Sequence, residues 1–463
     1  MNREQELLVA AEEKKKQNAV NIAKDPYYPL YHIASPVGLI NDPNGWIHWK
    51  GTYHLFFQWN PFETSHGSKF WGHVTSTDLV HWKEAPIALA PSESFEKDGC
   101  YSGSAIGVDN KLYLFYTGNV KNNNERESYQ CIAVSEDGFQ FKKLGNVLDV
   151  PSGYTAHFRD PKVWKQGEDY YMVIGAQTLK EEGCVLLYHS KTLMEWENLG
   201  VLADGFGYMW ECPDFFTLQG KDILLFSPQG LEADGIHYQN TFQSGYFIGD
   251  WQVGTNQYIH NSFQELDHGF DFYAPQTTED DKGRRLLVAW MGMTDGFEHL
   301  HPTLDYNWIH QLTIPRELSI KGNKLIQSPV EELTLLRAGK VLDAIVEGQS
   351  EAKLARASEW IFYPEGKGAF AIELFNYFKI VYNQMEKTVT IYRDRLDGQG
   401  TESRTAIVEN SIKEVRAFVD HSSIELFIND GEVTFTSRIF PKLDQNNMQI
   451  DGNGKMIIWN LEK

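Results

Sequence analysis

Long apolar runs are missing from this chain, as are paired cysteines and any excess of positive charge. No apolar stretch approaches the ~20 residues that a membrane-spanning helix needs. The first 28 residues are charged and helix-prone, and their longest apolar run, Leu7 to Ala11, is too short for the core of a secretory signal. These absences lead to the expectation of a cytoplasmic protein with no membrane partner. The four cysteines, Cys100, Cys131, Cys184 and Cys212, form no Cys-x-x-Cys pair. That argues against a zinc site and a disulfide scaffold and for buried thiols in a reducing compartment. Against 42 Lys and Arg stand 63 Asp and Glu, a formal net charge of −21. Such a surface repels polyanions, so nucleic acid is not an expected partner.

Aromatic residues are plentiful: 13 Trp, 22 Tyr and 27 Phe. Aromatic faces stack on the C–H groups of sugars as readily as they fill cores. At 463 residues the chain is too long for one typical domain, and two are expected.

Five apolar runs begin at Tyr53, Leu112, Asp169, Asp222 and Arg285, spaced 59, 57, 53 and 63 residues apart. A tight-turn pair precedes each: Lys50-Gly51, Asp109-Asn110, Gln166-Gly167, Gln219-Gly220 and Lys282-Gly283. A second motif keeps step, with Ser76 to Trp82 recurring as Ser135 to Phe141 and Ser190 to Trp196. Several strands per unit of 50–60 residues predict a β-propeller, here of five blades. The competing architecture is a sandwich of stacked sheets. Ser328 and Pro329 predict a capped short helix. Beyond it the period is lost and alternating strands appear, with Asn429-Asp430-Gly431 as a hairpin turn. The expected fold class is all-β: a helical extension over residues 1–30, a five-bladed propeller over 31–327, a linker with a short helix over 328–344, and a β-sandwich over 345–463.

Three acids stand out against this repeat. Asp42, Asp160 and Glu211 lie 11, 9 and 11 residues before Tyr53, Asp169 and Asp222. They are expected at equivalent positions on innermost strands, facing one channel, with Tyr101 to Ser104 and Tyr273 to Pro275 at the same level from the other two blades. Crowded carboxylates cannot all ionise, so one should keep its proton near neutral pH as a general acid while another acts as nucleophile. Arg159 is expected to keep Asp160 charged. Paired carboxylates used in this way cleave glycosidic bonds.

The motifs Asn41-Asp42-Pro43-Asn44-Gly45, Phe57-Gln58-Trp59-Asn60-Pro61, Tyr101-Ser102-Gly103-Ser104-Ala105, Arg159-Asp160-Pro161 and Glu211-Cys212-Pro213 resemble glycoside hydrolase family 32, in order along the chain. The resemblance implies a five-bladed propeller with a β-sandwich. It also implies a retaining hydrolysis of β-fructofuranosides through a fructosyl-enzyme. Asp42 would be the nucleophile, Glu211 the acid and then the base, and Asp160 the stabiliser that holds fructose hydroxyls. Asn41, Gln58, Ser102 and Arg159 would bind the sugar, with Trp71 and Tyr101 as apolar walls. Leu39 and Ile40 would border the pocket where many members have an aromatic residue.

Tyr31-His32, His66 to Lys69 and Trp308 to Gln311 look like the sucrose-6-phosphate hydrolase branch of that family. His66, Lys69 and His310 are the candidate phosphate contacts, because an acidic protein needs local cations to hold a phosphosugar. Sucrose 6-phosphate and sucrose are therefore the expected substrates, with no cofactor and no metal. Alternatives at this stage are a fructan-active hydrolase or transfructosylase of the same family, an inverting propeller hydrolase of arabinose or xylose polymers, and a non-catalytic sugar-binding propeller. The sequence leaves monomer or homodimer open.

Overall fold

The structure is a computed structural model that describes residues 2–123, 125–294, 297–366 and 368–463. Five antiparallel sheets follow one another along the chain, and each is one blade. The innermost strands are Gly38–Trp49, Cys100–Val108, Tyr154–Gln166, Met209–Leu218 and Tyr273–Glu279. The second strands are Thr52–Asn60, Lys111–Asn122, Asp169–Thr178, Lys221–Gln229 and Arg285–Met291, and they contain the five repeated apolar runs. These strands are apolar throughout because neighbouring blades cover both faces, so Leu55, Leu114, Met172, Leu224 and Val288 are all buried. The turn before each second strand takes left-handed backbone at its predicted residues, including Lys50, Asp109, Asn110, Gln219 and Gly283. The Ser76, Ser135 and Ser190 motifs make the same outer turn. In two of them the closing indole donates back three residues, from Trp82 to Leu79 and from Trp196 to Leu193.

The ring is closed by chain that is out of sequence order. Trp308–Ile309 lies parallel to Gly38–Trp49 in blade 1, and Gln311–Leu312 pairs with Arg285–Met291 in blade 5. Five residues therefore clip the last blade to the first.

Two six-stranded sheets form the sandwich. One runs in the order Arg337–Val346, Gly454–Leu461, Ser358–Pro364, Val415–Asp420, Ser423–Ile428, Val433–Arg438. The other contains Gln349–Lys353, Asn447–Asp451, Phe370–Leu374, Phe378–Asn383, Thr388–Asp394 and Thr401–Ile407. Their facing side chains, among them Trp360, Ile380, Val389, Leu426 and Phe435, make one apolar core. The first sandwich strand starts at Arg337, ahead of the expected residue 345. The helix expected from Ser328 is also displaced. Ser328 and Pro329 end an outer strand, paired with Glu317 and Arg316, and a 3-10 helix follows at Glu331–Leu336. A proline is tolerated there because an edge strand does not need its N–H.

Charged groups pin the two units together. Arg316, fully buried, binds Glu425 at 2.6 Å and Asp267 at 3.1 Å. His32 bonds Asp420 at 2.8 Å and Glu425 at 3.0 Å. The N-terminal helix, Arg3–Ile22, is closed by a capping box between Asn2 and Gln5 and buries Ala11 and Ile22 in the core of blade 1. Among the described residues no helix is long and apolar enough to cross a membrane.

Candidate active site

Every innermost strand carries a β-bulge at the same height, where two of its residues face one on the second strand. The paired residues are Asn41–Asp42, Tyr101–Ser102, Asp160–Pro161, Cys212–Pro213 and Ala274–Pro275. A bulge re-aims side chains and removes a ladder bond, which is why proline fits at the second place in three blades. Asp160, Cys212 and Ala274 are forced into left-handed backbone, φ +68°, +48° and +50°. For residues with a Cβ that costs about 1–3 kcal/mol each.

This register corrects the expectation that the three acids are equivalent. Asp160 takes the first bulge place and Asp42 the second, while Glu211 is the paired residue just before the bulge. Arg159 and Tyr273 share Glu211's level in the flanking blades. They meet it side by side. Arg159 donates from Nε at 3.0 Å and Nη2 at 2.6 Å to Glu211 Oε1, and the Tyr273 hydroxyl donates to Oε2 at 2.7 Å. Gln229 Nε2 donates to the same oxygen at 2.8 Å.

Asp42 is held from beneath. Ser102 Oγ donates to Oδ2 at 2.6 Å, Gln58 Nε2 donates at 3.3 Å, and Asn41 Nδ2 donates to Oδ1 at 3.1 Å. Asp160 Oδ2 accepts the Cys212 backbone N–H at 2.9 Å. The Cys212 thiol sits 3.6 Å from both Asp42 Oδ2 and Asp160 Oδ2 and ties the two acids together. The three carboxyl groups open into one cavity of about 460 Å³.

Protons in this cluster are shared. Burial, opposed by Arg159 and helped by the charges of Glu211 and Asp42, pushes Asp160 up to about 7. Burial also raises Asp42, against the hydroxyl of Ser102 and with the charge of Glu211. Burial would raise Glu211 as well, but the Arg159 charge and the Tyr273 and Arg159 hydrogen bonds outweigh it and hold Glu211 low. Arg159 thus hydrogen-bonds Glu211 directly and favours the charged form of Asp160 only through its charge, with its Nε 4.0 Å away.

Asn41, Gln58, Tyr101, Arg159, His66 and Lys69 line the cavity with the acids. Asn41 Oδ1 is buried without a partner, an acceptor suited to a sugar hydroxyl. Five sequence candidates lie elsewhere. Leu39 and Ile40 are buried away from the cavity because they precede the bulge and keep the strand's inward alternation. Trp71 is fully buried between blades 1 and 2, where its indole N–H donates to the Tyr101 carbonyl at 3.0 Å; it supports that ring and is not itself a wall. His310 is buried behind Trp290 and bonds Glu298 Oε1 at 2.8 Å. Ser102 lies under Asp42, where it orients the carboxylate and does not face the cavity.

The sequence places Tyr273 at the level of the acids without a role for it, and gives no sign of Gln229, Trp290, Phe242, Lys121, Arg126 and His157, which also line the wall. Tyr273 had a usable signal, its place one residue before Ala274-Pro275. Gln229, Trp290, Lys121 and Arg126 come from second strands and a hairpin end, Phe242 from a loop, and His157 from the start of an innermost strand, where the repeat varies.

Comparison with known proteins agrees with this geometry. The model of the glycosyl hydrolases family 32 N-terminal domain matches residues 32–329, and that of the family 32 C-terminal domain matches residues 348–461. A sucrose-6-phosphate hydrolase of Bacillus subtilis (strain 168) is 49% identical over 457 residues, covering 96% of this chain and 95% of the relative. The solved sucrose-6-phosphate hydrolase of Lactobacillus gasseri superposes with a TM-score of 0.90 at 31% identity, covering 97% of this chain and 96% of that one. A GH32 beta-fructofuranosidase of Bombyx mori, solved also as a mutant in complex with sucrose, gives 0.87 at 36% identity, with 98% of both chains covered. With family models matching both its propeller and its sandwich, and a 49% identical relative over nearly its whole length, this chain is a member of glycoside hydrolase family 32.

Proposed function

We propose that this chain is a retaining β-fructofuranosidase that hydrolyses sucrose 6-phosphate and, second to it, sucrose. The observation that carries the reading is the convergence of Asp42, Asp160 and Glu211 in one cavity with distinct surroundings. Asp42 is ringed by neutral donors and Glu211 by a guanidinium and a phenol. Different environments give carboxyls different roles.

In the first step Asp42 attacks C2 of the fructosyl unit, and the C2–O bond to the glucosyl group breaks as Glu211 gives its proton to the departing oxygen. The product is a fructosyl ester on Asp42 and a free glucosyl alcohol. In the second step Glu211 takes a proton from water, whose oxygen replaces Asp42 at C2. Asp160 binds ring hydroxyls and faces the developing oxocarbenium charge.

Burial pushes Asp160 up to about 7 while Arg159 and Tyr273 hold Glu211 low, so without substrate the cluster's proton favours Asp160. Sugar hydroxyls donating to Asp160 favour its charged form and pass the proton to Glu211, where the leaving oxygen needs it. A sugar phosphorylated inside a cell does not cross bilayers unaided, which supports a cytoplasmic location for the proposed reaction.

The test is turnover of sucrose 6-phosphate and of sucrose, with the first-formed fructose followed by NMR. Retention predicts initial β-fructofuranose, and methyl β-fructofuranoside when methanol is added. An α-configured first product, or no fructose from either sugar, sinks the proposal.

A further inference from the structure

At one end of the cavity lies a cluster of positive charge that the reaction itself does not use. Lys121 and Arg126 face each other directly across the hairpin that joins the second and third strands of blade 2, and both line the cavity. Like charges opposed across a ladder destabilise a hairpin. Among the described residues neither side chain makes an ion pair, in a chain with 63 acids. The carboxylate of Asp98 lies close by but accepts the Lys121 backbone N–H. Arg126 continues inward, with its guanidinium 5.9 Å from the Tyr101 ring centre and its Nη1 3.4 Å from His157 Nδ1. Arg159 Nη1 meets the same nitrogen at 2.9 Å. With Nδ1 accepting from two guanidinium groups, the His157 proton is on Nε2.

We infer that Lys121, Arg126 and His157 form the subsite for the 6-phosphate of the leaving glucosyl group. The inference rests on the β-fructofuranosidase reading and gives it a charge-recognition site. In a retaining reaction the leaving group departs on the side of the acid, away from the nucleophile. Here the acid is Glu211, and the chain Glu211, Arg159, His157, Arg126, Lys121 runs outward from it. A phosphate at the end of that chain removes the repulsion between two cations and gains the charge-assisted bonds for which an arginine fork is suited. Lys69 is on the other side of the chemistry. Its charged neighbours are Asp42 and Glu298, and burial lowers it to about 7, which makes it a poor anchor for a dianion.

The experiment compares Lys121→Met, Arg126→Met and Lys69→Met with the wild type in two assays. In turnover, the ratio of kcat/KM for sucrose 6-phosphate to that for sucrose falls about 10–100-fold in each of the first two variants, as expected for one lost charge-assisted bond. In Lys69→Met it changes by no more than about threefold. In calorimetry, which needs no turnover, glucose 6-phosphate binds the wild type at least about tenfold tighter than glucose, and Lys121→Met erases that preference. Lys121 is exposed, so its variant keeps the wild-type Tm. A wild type that binds both sugars alike, or Lys121 and Arg126 variants that keep the wild-type ratio, overturns the subsite. A wild type that prefers glucose 6-phosphate but cleaves no fructoside refutes the proposed activity and leaves the subsite standing.

Discussion

Replacing Arg159 with Gln removes the guanidinium that holds Glu211 at 2.6 Å and stands 4.0 Å from Asp160. At 4.0 Å and an effective dielectric of about 20, a cation attracts a carboxylate by about 4 kcal/mol, equivalent to about 3 pH units. Losing that attraction favours the neutral carboxyl, so Asp160 moves up from about 7 by as much as about 3 units. Glu211 is closer to the guanidinium and moves in the same direction. Catalysis needs one proton on this cluster, so in the wild type kcat/KM for sucrose falls as pH rises through about 7. In Arg159→Gln that fall shifts upward by about 2–3 units. At neutral pH kcat drops, because a protonated Glu211 cannot serve as base in the second step. Arg159→Lys keeps the charge and keeps the limb near its wild-type position. The assay is the pH profile of kcat and kcat/KM from pH 5 to 10. Tm is measured alongside, because breaking a buried ion pair costs about 3–5 kcal/mol. Arg159 also lines the cavity, so KM changes too, but the position of the limb reports protonation and not affinity. A limb in Arg159→Gln that stays within about half a unit of the wild type would refute this account of the cluster.

Asp42→Ala abolishes fructose release, and detectable single-turnover cleavage would remove it as nucleophile. Glu211→Gln slows sucrose cleavage by about 10²–10⁴. It slows much less the first step on a fructoside whose leaving group needs no proton, and equal losses on both substrates would deny it the acid role. His32→Gln removes a ring whose two nitrogens both bond carboxylates, which requires the cation. Burial pulls His32 down, but Asp420 and Glu425 outweigh it and its folded value is raised. The stability it adds is fully present below about 6.5 and is lost as pH rises through the folded value. Urea unfolding at pH 6 should show a deficit of about 3–5 kcal/mol in the variant, shrinking at pH 9. A deficit that grows with pH would contradict the sign.

Blade number and strand order were legible because each rests on a local rule repeated five times, and the three acids because each stands 9–11 residues before one of those repeated runs. The turns at Lys50, Asp109 and Gln219 announce themselves, and apolar runs such as Leu112 to Tyr116 read as strands covered on both faces. The bulges were not legible. Counting back from Tyr53, Asp169 and Asp222 gives nearly equal offsets, yet the two-on-one pairing places Asp42, Asp160 and Glu211 at three different places in the register. The charge of Arg159 beside Asp160 is legible, but for the same reason its hydrogen bonds to Glu211, at its own level in the next blade, are not. Leu39 and Ile40 misled because nearness in sequence to Asp42 says nothing about which side of a bulge faces the cavity. His310 misled because a polar residue beside a recognisable motif can be consumed by a private partner, here Glu298. The basic hairpin at Lys121 and Arg126 belongs to no repeat, and only its folding back over the channel gives it meaning.

The five-residue clip at 308–312 has a consequence for how activity is lost. Asp42 belongs to the blade at one side of the seam and Tyr273 to the blade at the other, and the stretch that crosses it pairs with both sheets. The residues proposed for catalysis therefore have no rigid frame until chain almost 270 positions after Asp42 has been laid in place. Growing from the ribosome, the ring stays chemically silent through its first four blades and gains its working shape in a single late event. Once shut, it has no free end from which a blade can peel without first opening that seam.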